Sequence, residues 1–401
     1  MSETFSTSIT RRRVLKGAAA TAGLAAGLFP APFVRAQSAP IKVGLMLPYS
    51  GTYAALGNNI TDAMKMAIEA RGGKLGGRPV QYIQVDDESD PAKAPQNMNR
   101  LVVGERADVV VGTVHSGVAM AMARIARDEG TLTIIPNAGA GAITGAMCSP
   151  NVFRTSFSNW QPAYPMGKVM YDRGHRNVVT VTWKYAAGEE SVGGFKDGFT
   201  KLGGKILKEI WVPFPDVEFQ AHLTEIASLK PDAVYVFFAG GGAVKFVKDY
   251  HAAGLKDRIP LYGAGFLTDG TIKAQGEAAQ GLLTTLHYAE DLDNPVNKKF
   301  SADFQKATGR PVDVYAVQGY DTGQLLAIAA EAVKGDLKAK KDVTAAIRSA
   351  RIDSPRGPFT MSAAHNPVQN IYLRRVAGEE NRFVSIAHEA LSDPAPGCRM
   401  A

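Results

Sequence analysis

Residues Thr113 to Met120 read T-V-H-S-G-V-A-M, a histidine beside a serine just after an apolar run. A serine nucleophile with a histidine base is the first chemistry this pair raises. Neighbouring side chains leaving a strand point apart, however, while a catalytic pair must converge. No G-x-S-x-G turn occurs in the chain either. The stretch fits anion binding better. Val109 to Gly112 predicts a strand and Val118 onward a helix, so Ser116 and Gly117 fall at a helix start. There, free backbone N–H groups, a capping hydroxyl and the positive end of the helix dipole favour a negative group.

Other loops raise their own questions. Asn137-Ala138-Gly139-Ala140-Gly141 lacks G-x-x-x-x-G-K-[ST], and G-x-G-x-x-G fails because Thr144 stands where its last glycine belongs. Nucleotide binding is disfavoured, and a tight loop whose backbone approaches a ligand remains. Gly240-Gly241-Gly242 and Gly263-Ala264-Gly265-Phe266 also follow predicted strands. In open α/β sheets ligands sit at the carboxyl ends of strands, so these four loops outline a cleft. Glu189-Glu190, Asp86-Asp87-Glu88 and the run Lys338-Ala339-Lys340-Lys341 read as solvated turns or helix ends. The seven histidines offer no metal-ligand spacing, and no cofactor or metal is expected.

The elements that must position these loops alternate. Strands are predicted over Ile41 to Leu47, Val80 to Asp86, Val109 to Gly112 and Thr131 to Ile135, with helices over Leu56 to Arg71, Pro91 to Val103 and Val118 to Glu129. After Asn151 to Trp160 the pattern restarts. Strands follow over Asn177 to Trp183, Lys205 to Val212, Ala233 to Phe238 and Leu261 to Ala264, with helices over Glu189 to Leu202, Phe219 to Leu229 and Ala243 to Ala253. Such alternation argues α/β lobes with parallel-type sheets covered on both faces. The segments Pro295 to Thr308, Val314 to Val333 and Lys341 to Ala350 read as amphipathic helices that return to cover the first sheet.

The first 36 residues differ from the rest. Thr10-Arg11-Arg12-Arg13, a small apolar run from Gly17 and Val34-Arg35-Ala36 resemble a twin-arginine export signal. The run is too short to span a bilayer, and no cysteine follows the cleavage site to take a lipid. Losing five cations and one anion with this segment lowers the formal charge from +7 to +3, too little to argue for nucleic acid. An exported chain with two cysteines, Cys148 and Cys398, is permitted one disulfide, and the bridge is expected over two free thiols.

The order of pieces resembles a known family, the periplasmic substrate-binding proteins of ABC transporters for branched-chain amino acids and related compounds. The matching stretches include Ile41-Lys42-Val43-Gly44, Pro48-Tyr49-Ser50-Gly51, Asp128-Glu129-Gly130, Ile135-Pro136-Asn137-Ala138, Phe153-Arg154-Thr155 and Ala253-Gly254-Leu255. The resemblance implies the type I periplasmic-binding fold, two Rossmann-like lobes joined by three crossovers. Lobe I would hold residues 41–159 and 290–365, and lobe II residues 160–289 and 366–395. The crossovers are expected at Trp160, near Ala289 and over Met361 to Asn366. It further implies a soluble receptor, not an enzyme, delivering a small-molecule carboxylate to an ABC permease in the inner membrane.

Carried over by loop position, the carboxylate would meet Ser116, Gly117, Asn137, Ala138 and Gly139, with His115 adding a proton or a charge. Amino-acid binders of the family also place a second-lobe acid against the ligand ammonium. Here that position is Gly265, with Asp269 four residues on. An ammonium buried without a partner costs several kcal/mol, roughly, so the departure favours a carboxylate without an amine. The pattern looks like members that bind aromatic acids such as benzoates or hydroxycinnamates. Tyr53, Trp160, Tyr185, Ala186, Phe238, Gly240 and Phe266 would then line the ring. A branched-chain amino acid or amide, or a sensing role toward a membrane receptor, are the alternatives.

Overall fold

Strand β1 (Ile41–Leu47) is buried at nearly every position, the signature of a parallel strand covered on both faces. In a computed structural model that describes residues 39–400, it is central to a six-stranded sheet. The export signal read over residues 1–36 lies outside the described residues. A short arm, β2 (Lys74–Leu75), turns back antiparallel on β3 (Arg78–Asp86). β1 pairs in parallel with β3 on one side and β4 (Val109–Val111) on the other, and β5 (Leu132–Ile135) and β6 (Val152–Arg154) extend that edge.

The second sheet starts with parallel strands β7 (Asn177–Lys184), β8 (Lys205–Pro213), β9 (Ala233–Phe237), β10 (Leu261–Ala264) and β11 (Leu283–Leu286). Its order is β12-β13-β11-β10-β9-β7-β8, with β12 (Thr360–Met361), β13 (Pro367–Ala377) and β14 (Glu380–Leu391) all antiparallel additions. The sheet is therefore mixed.

The strands change sheet once, after β6; the helix Val314–Ala332 that follows β11 packs back on the first sheet before β12 joins the second. Met361 of β12 packs against the core of the first sheet while its backbone pairs with Pro367. The following turn stays on the first lobe, where the Arg154 N–H donates to the His365 carbonyl at 3.0 Å. A disulfide joins Cys148 to Cys398, with the Cα atoms 5.5 Å apart and a separation of 250 positions in sequence.

The helix Val314–Ala332 is not amphipathic. Its far half packs Leu325, Leu326, Ala329 and Ala330 with Ile41, Val43 and Leu45, while Val314 to Val317 join a cluster that runs from Leu56 and Ile60 to Val234 and Phe266. Buried on all sides from Val314 to Ala330 apart from the half-buried Tyr320 and Ile328, it meets solvent only at its last residues, Glu331 and Ala332. Gly319 and Gly323 let the helix Ala54–Glu69 approach closely, since a Cβ at Gly319 would lie 2.1 Å from the Ile60 carbonyl oxygen.

Candidate functional site

The loops after β4 and β5 bring polar groups together where the strand order switches sides of β1. Ser116 opens the helix Ser116–Glu129, and His115 caps it by accepting the Gly117 N–H on Nδ1 at 3.1 Å. Ser116 Oγ accepts from Asn159 Nδ2 at 3.2 Å, which leaves its own proton free to donate. The Asn159 N–H in turn donates to the Gly139 carbonyl at 2.8 Å. Among the described residues, neither the Ser116 N–H nor the Gly139 N–H has a protein acceptor. A helix start, two free N–H groups and a hydroxyl thus converge without a counter-charge.

These groups open onto a cavity lined by residues of both lobes. Ser116, Asn137, Gly139 and Asn159 line it together with Leu56, Val114, Ala187, Ala239 and six aromatic side chains: Tyr53, Phe157, Tyr185, Phe237, Phe266 and Tyr315. None of the fourteen is a carboxylate or a cation. The space between these residues totals about 290 Å³. Phe157 and Phe266 lie tilted with centroids 4.7 Å apart, and Phe237 meets Phe266 edge-on at 6.0 Å. Tyr53 Oη and Tyr185 Oη share a hydrogen bond of 3.0 Å.

Two features hold the lobes against each other. Gly240 (φ +54°) sits where a Cβ would lie 2.4 Å from the Thr52 carbonyl oxygen. Glu190 of the second lobe accepts from the Gly141 N–H at 2.9 Å and from Asn159 Nδ2 at 2.8 Å. Burial raises its pKa, and these two donors oppose the rise. Glu190 is therefore not the solvated turn residue expected. Asp87 is not solvated either: fully buried, it accepts from the Thr113 hydroxyl and the Ser89 N–H, and burial pushes its pKa up to about 6.

Matching the chain against family models finds the periplasmic binding protein family over residues 40–381. The chain belongs to that family. Similar proteins include Leu/Ile/Val-binding protein homolog 6 of Brucella melitensis, 33% identical over 344 residues, covering 84% of this chain and 87% of the relative. A crystal structure of an R. palustris ABC transporter solute-binding protein in complex with benzoate is 55% identical, with a TM-score of 0.88, over 90% of this chain and all of that one. Another from Rhodopseudomonas palustris BisB5, in complex with 3,4-dihydroxybenzoic acid, is 32% identical with a TM-score of 0.83, covering 88% and 99%. Family and neighbours are solute-binding proteins.

For this member of the family, the structure brings Ser116, Asn137, Gly139, Tyr53, Tyr185 and Phe266 to the cavity and places the other expected residues elsewhere. Gly117 spends its N–H on His115, and Ala138 spends its own on the Thr113 carbonyl at 3.0 Å. His115 lies between Tyr185, stacked at 4.6 Å, and Phe214. Burial holds its pKa down at about 4, so it brings no positive charge. Trp160 faces outward, stacked on Tyr164, with its Nε1–H donated to Asp197 at 3.0 Å. Phe238 packs in the core against Trp183, Phe219 and Phe246, and its neighbour Phe237 lines the cavity. Ala187 likewise replaces Ala186.

Two of the glycines at 240–242 receive other parts of the protein. Gly240 receives Thr52, and Gly242 receives the ring of Trp183, 2.1 Å from a hypothetical Cβ. Gly265 faces Arg374 and Leu286 rather than the cavity. Asp269 is committed to Arg374 in a fully buried pair at 2.6 Å, so it offers no carboxylate to a ligand. Phe157 and Tyr315 were missed. Phe157 lies just before the expected crossover at Trp160, and that position was the available signal; Tyr315 opens a helix well past the crossover expected near Ala289, where the sequence carries none.

Proposed function

We propose that this protein is a periplasmic receptor that closes its two lobes on a small aromatic carboxylate and presents the closed form to the permease of an ABC importer. The observation that carries this reading is the cavity lining, six aromatic side chains and no carboxylate beside unpaired donors at Ser116 and Gly139. The donors suit a carboxylate, the aromatic lining suits a ring, and an α-ammonium would find no charged partner. The benzoate and dihydroxybenzoate named for the solved neighbours support the same class of ligand.

The remaining assignments follow from this role. Residues 1–36 direct export through the twin-arginine route, the mature chain is periplasmic, and no bond of the ligand is broken. Residues 41–159 with 290–365 form one lobe, and 160–289 with 366–395 the other. Among the described residues no helix is long and apolar enough to cross a membrane.

The Leu/Ile/Val-binding names of the curated relatives favour a second reading, a branched-chain amino acid or its amide. A thermal-shift screen of the mature protein separates the two, because bound ligand raises stability by mass action, about 2.7 kcal/mol at a hundredfold excess over Kd. Benzoate, 4-hydroxybenzoate or coumarate should shift the transition. A shift with leucine or its amide and none with the aromatic acids overturns the reading.

A further inference from the structure

Among the cavity tyrosines, Tyr53 and Tyr185 bond to each other. Tyr315 is 1% exposed and lines the cavity, and among the described residues its hydroxyl has no partner. Buried hydroxyls are ordinarily satisfied, so a native one left open asks for an explanation outside the chain. The Tyr315 side chain is packed on all sides, and the helix start that carries it is pinned twice. Asp313 caps it by accepting the Ala316 N–H at 2.8 Å and is itself held by Asn59 Nδ2 at 2.6 Å. Asp269, locked to Arg374, accepts the Val314 N–H at 3.2 Å. Burial and the nearby aspartates keep the phenol protonated. Tyr315 packs toward Phe266, at 6.4 Å between ring centroids, whereas the free donors of Ser116 and Gly139 belong to the Asn159 network.

We infer that the Tyr315 hydroxyl selects for a hydroxyl substituent on the ligand ring, meeting it while Ser116 and Gly139 hold the carboxylate. This rests on the aromatic-acid reading and sharpens it, making hydroxybenzoates preferred over benzoate. A phenolic substituent both donates and accepts, so it completes the orphaned group whichever way the tyrosine proton turns. A site built to bond a hydroxyl discriminates against the analogue that lacks one.

Calorimetric titration of the wild-type mature protein and of Tyr315→Phe with benzoate, 3-hydroxybenzoate and 4-hydroxybenzoate tests this. Wild type should bind at least one hydroxybenzoate more tightly than benzoate. Tyr315→Phe should lose about tenfold in affinity for that acid and change less than about threefold for benzoate, whose retained binding shows that the variant is folded. Equal losses for all three acids, or no loss for any, would overturn the role of Tyr315 and leave the aromatic-acid reading standing. A wild-type protein that binds none of the three overturns both.

Discussion

Tyr53, from the loop after β1, and Tyr185, from the loop after β7, meet hydroxyl to hydroxyl at 3.0 Å across the cleft between the two lobes. Each ring also walls the cavity, so one contact both closes the lobes and shapes the site.

Removing either hydroxyl leaves the other buried without a partner. Tyr53→Phe and Tyr185→Phe should each weaken ligand binding by about three- to tenfold, the worth of one such bond. The double variant should lose little more than either single, because both changes delete the same interaction. A double-mutant cycle by calorimetry checks this, and additive losses would show that the two hydroxyls act separately.

Gly240 meets Thr52 only when the lobes are together. Gly240→Ala places a methyl group against a carbonyl oxygen, an overpacking cost of ~1–3 kcal/mol borne by the closed form, so the dissociation constant should rise roughly 5- to 150-fold. The ligand-free protein should lose only ~1 kcal/mol, the cost of a side chain at positive φ. Paired titration and urea unfolding separate the two effects.

His115 makes a pH prediction. Its folded pKa is held down at about 4 by burial, below the ~6.5 of an unfolded histidine. Above pH 7 neither state carries the proton. As pH falls from about 6.5 to 4 the unfolded chain takes it up and the folded chain does not, so stability is lost on acidification, by up to ~3 kcal/mol. His115→Asn retains a capping acceptor and removes this titration. Urea unfolding at pH 7.5, 5.5 and 4.5 should show wild type losing that much relative to the variant.

The disulfide closes a loop between positions 250 apart in sequence. Replacing Cys148 and Cys398 with serine should lower unfolding free energy by ~2–5 kcal/mol, read from urea transitions. Ligand affinity should change little, since neither residue lines the cavity.

Sequence periodicity located the strands that carry the site because they are buried on both faces and bounded by loops: Ile41–Leu47 and Leu261–Ala264 are read to the residue. The period fails elsewhere for physical reasons. The helix Trp160–Asp172 holds Pro162 and Pro165, which read as breakers. The hairpin of β13 and β14 carries register shifts, and it leaves Phe383 and Ile386 exposed, so no in-and-out alternation survives. Within the site, Phe237 and Ala187 were displaced by one residue to Phe238 and Ala186. At a strand end that slip moves a side chain from the cleft to the core. Composition made the glycine loops legible as sites of close approach, but what approaches Gly240 is Thr52 of the other lobe, a contact distant in sequence.

The most direct test of the central claim, a site for an aromatic carboxylate without an amine, is calorimetric titration of the mature wild-type protein with benzoate, 4-hydroxybenzoate and leucine, repeated with Ser116→Ala. The account predicts that an aromatic acid binds, that leucine does not, and that the variant binds the acid more weakly by ~1–3 kcal/mol, the size of a lost hydrogen bond to a charged group. Leucine binding in the absence of binding by either aromatic acid would contradict it.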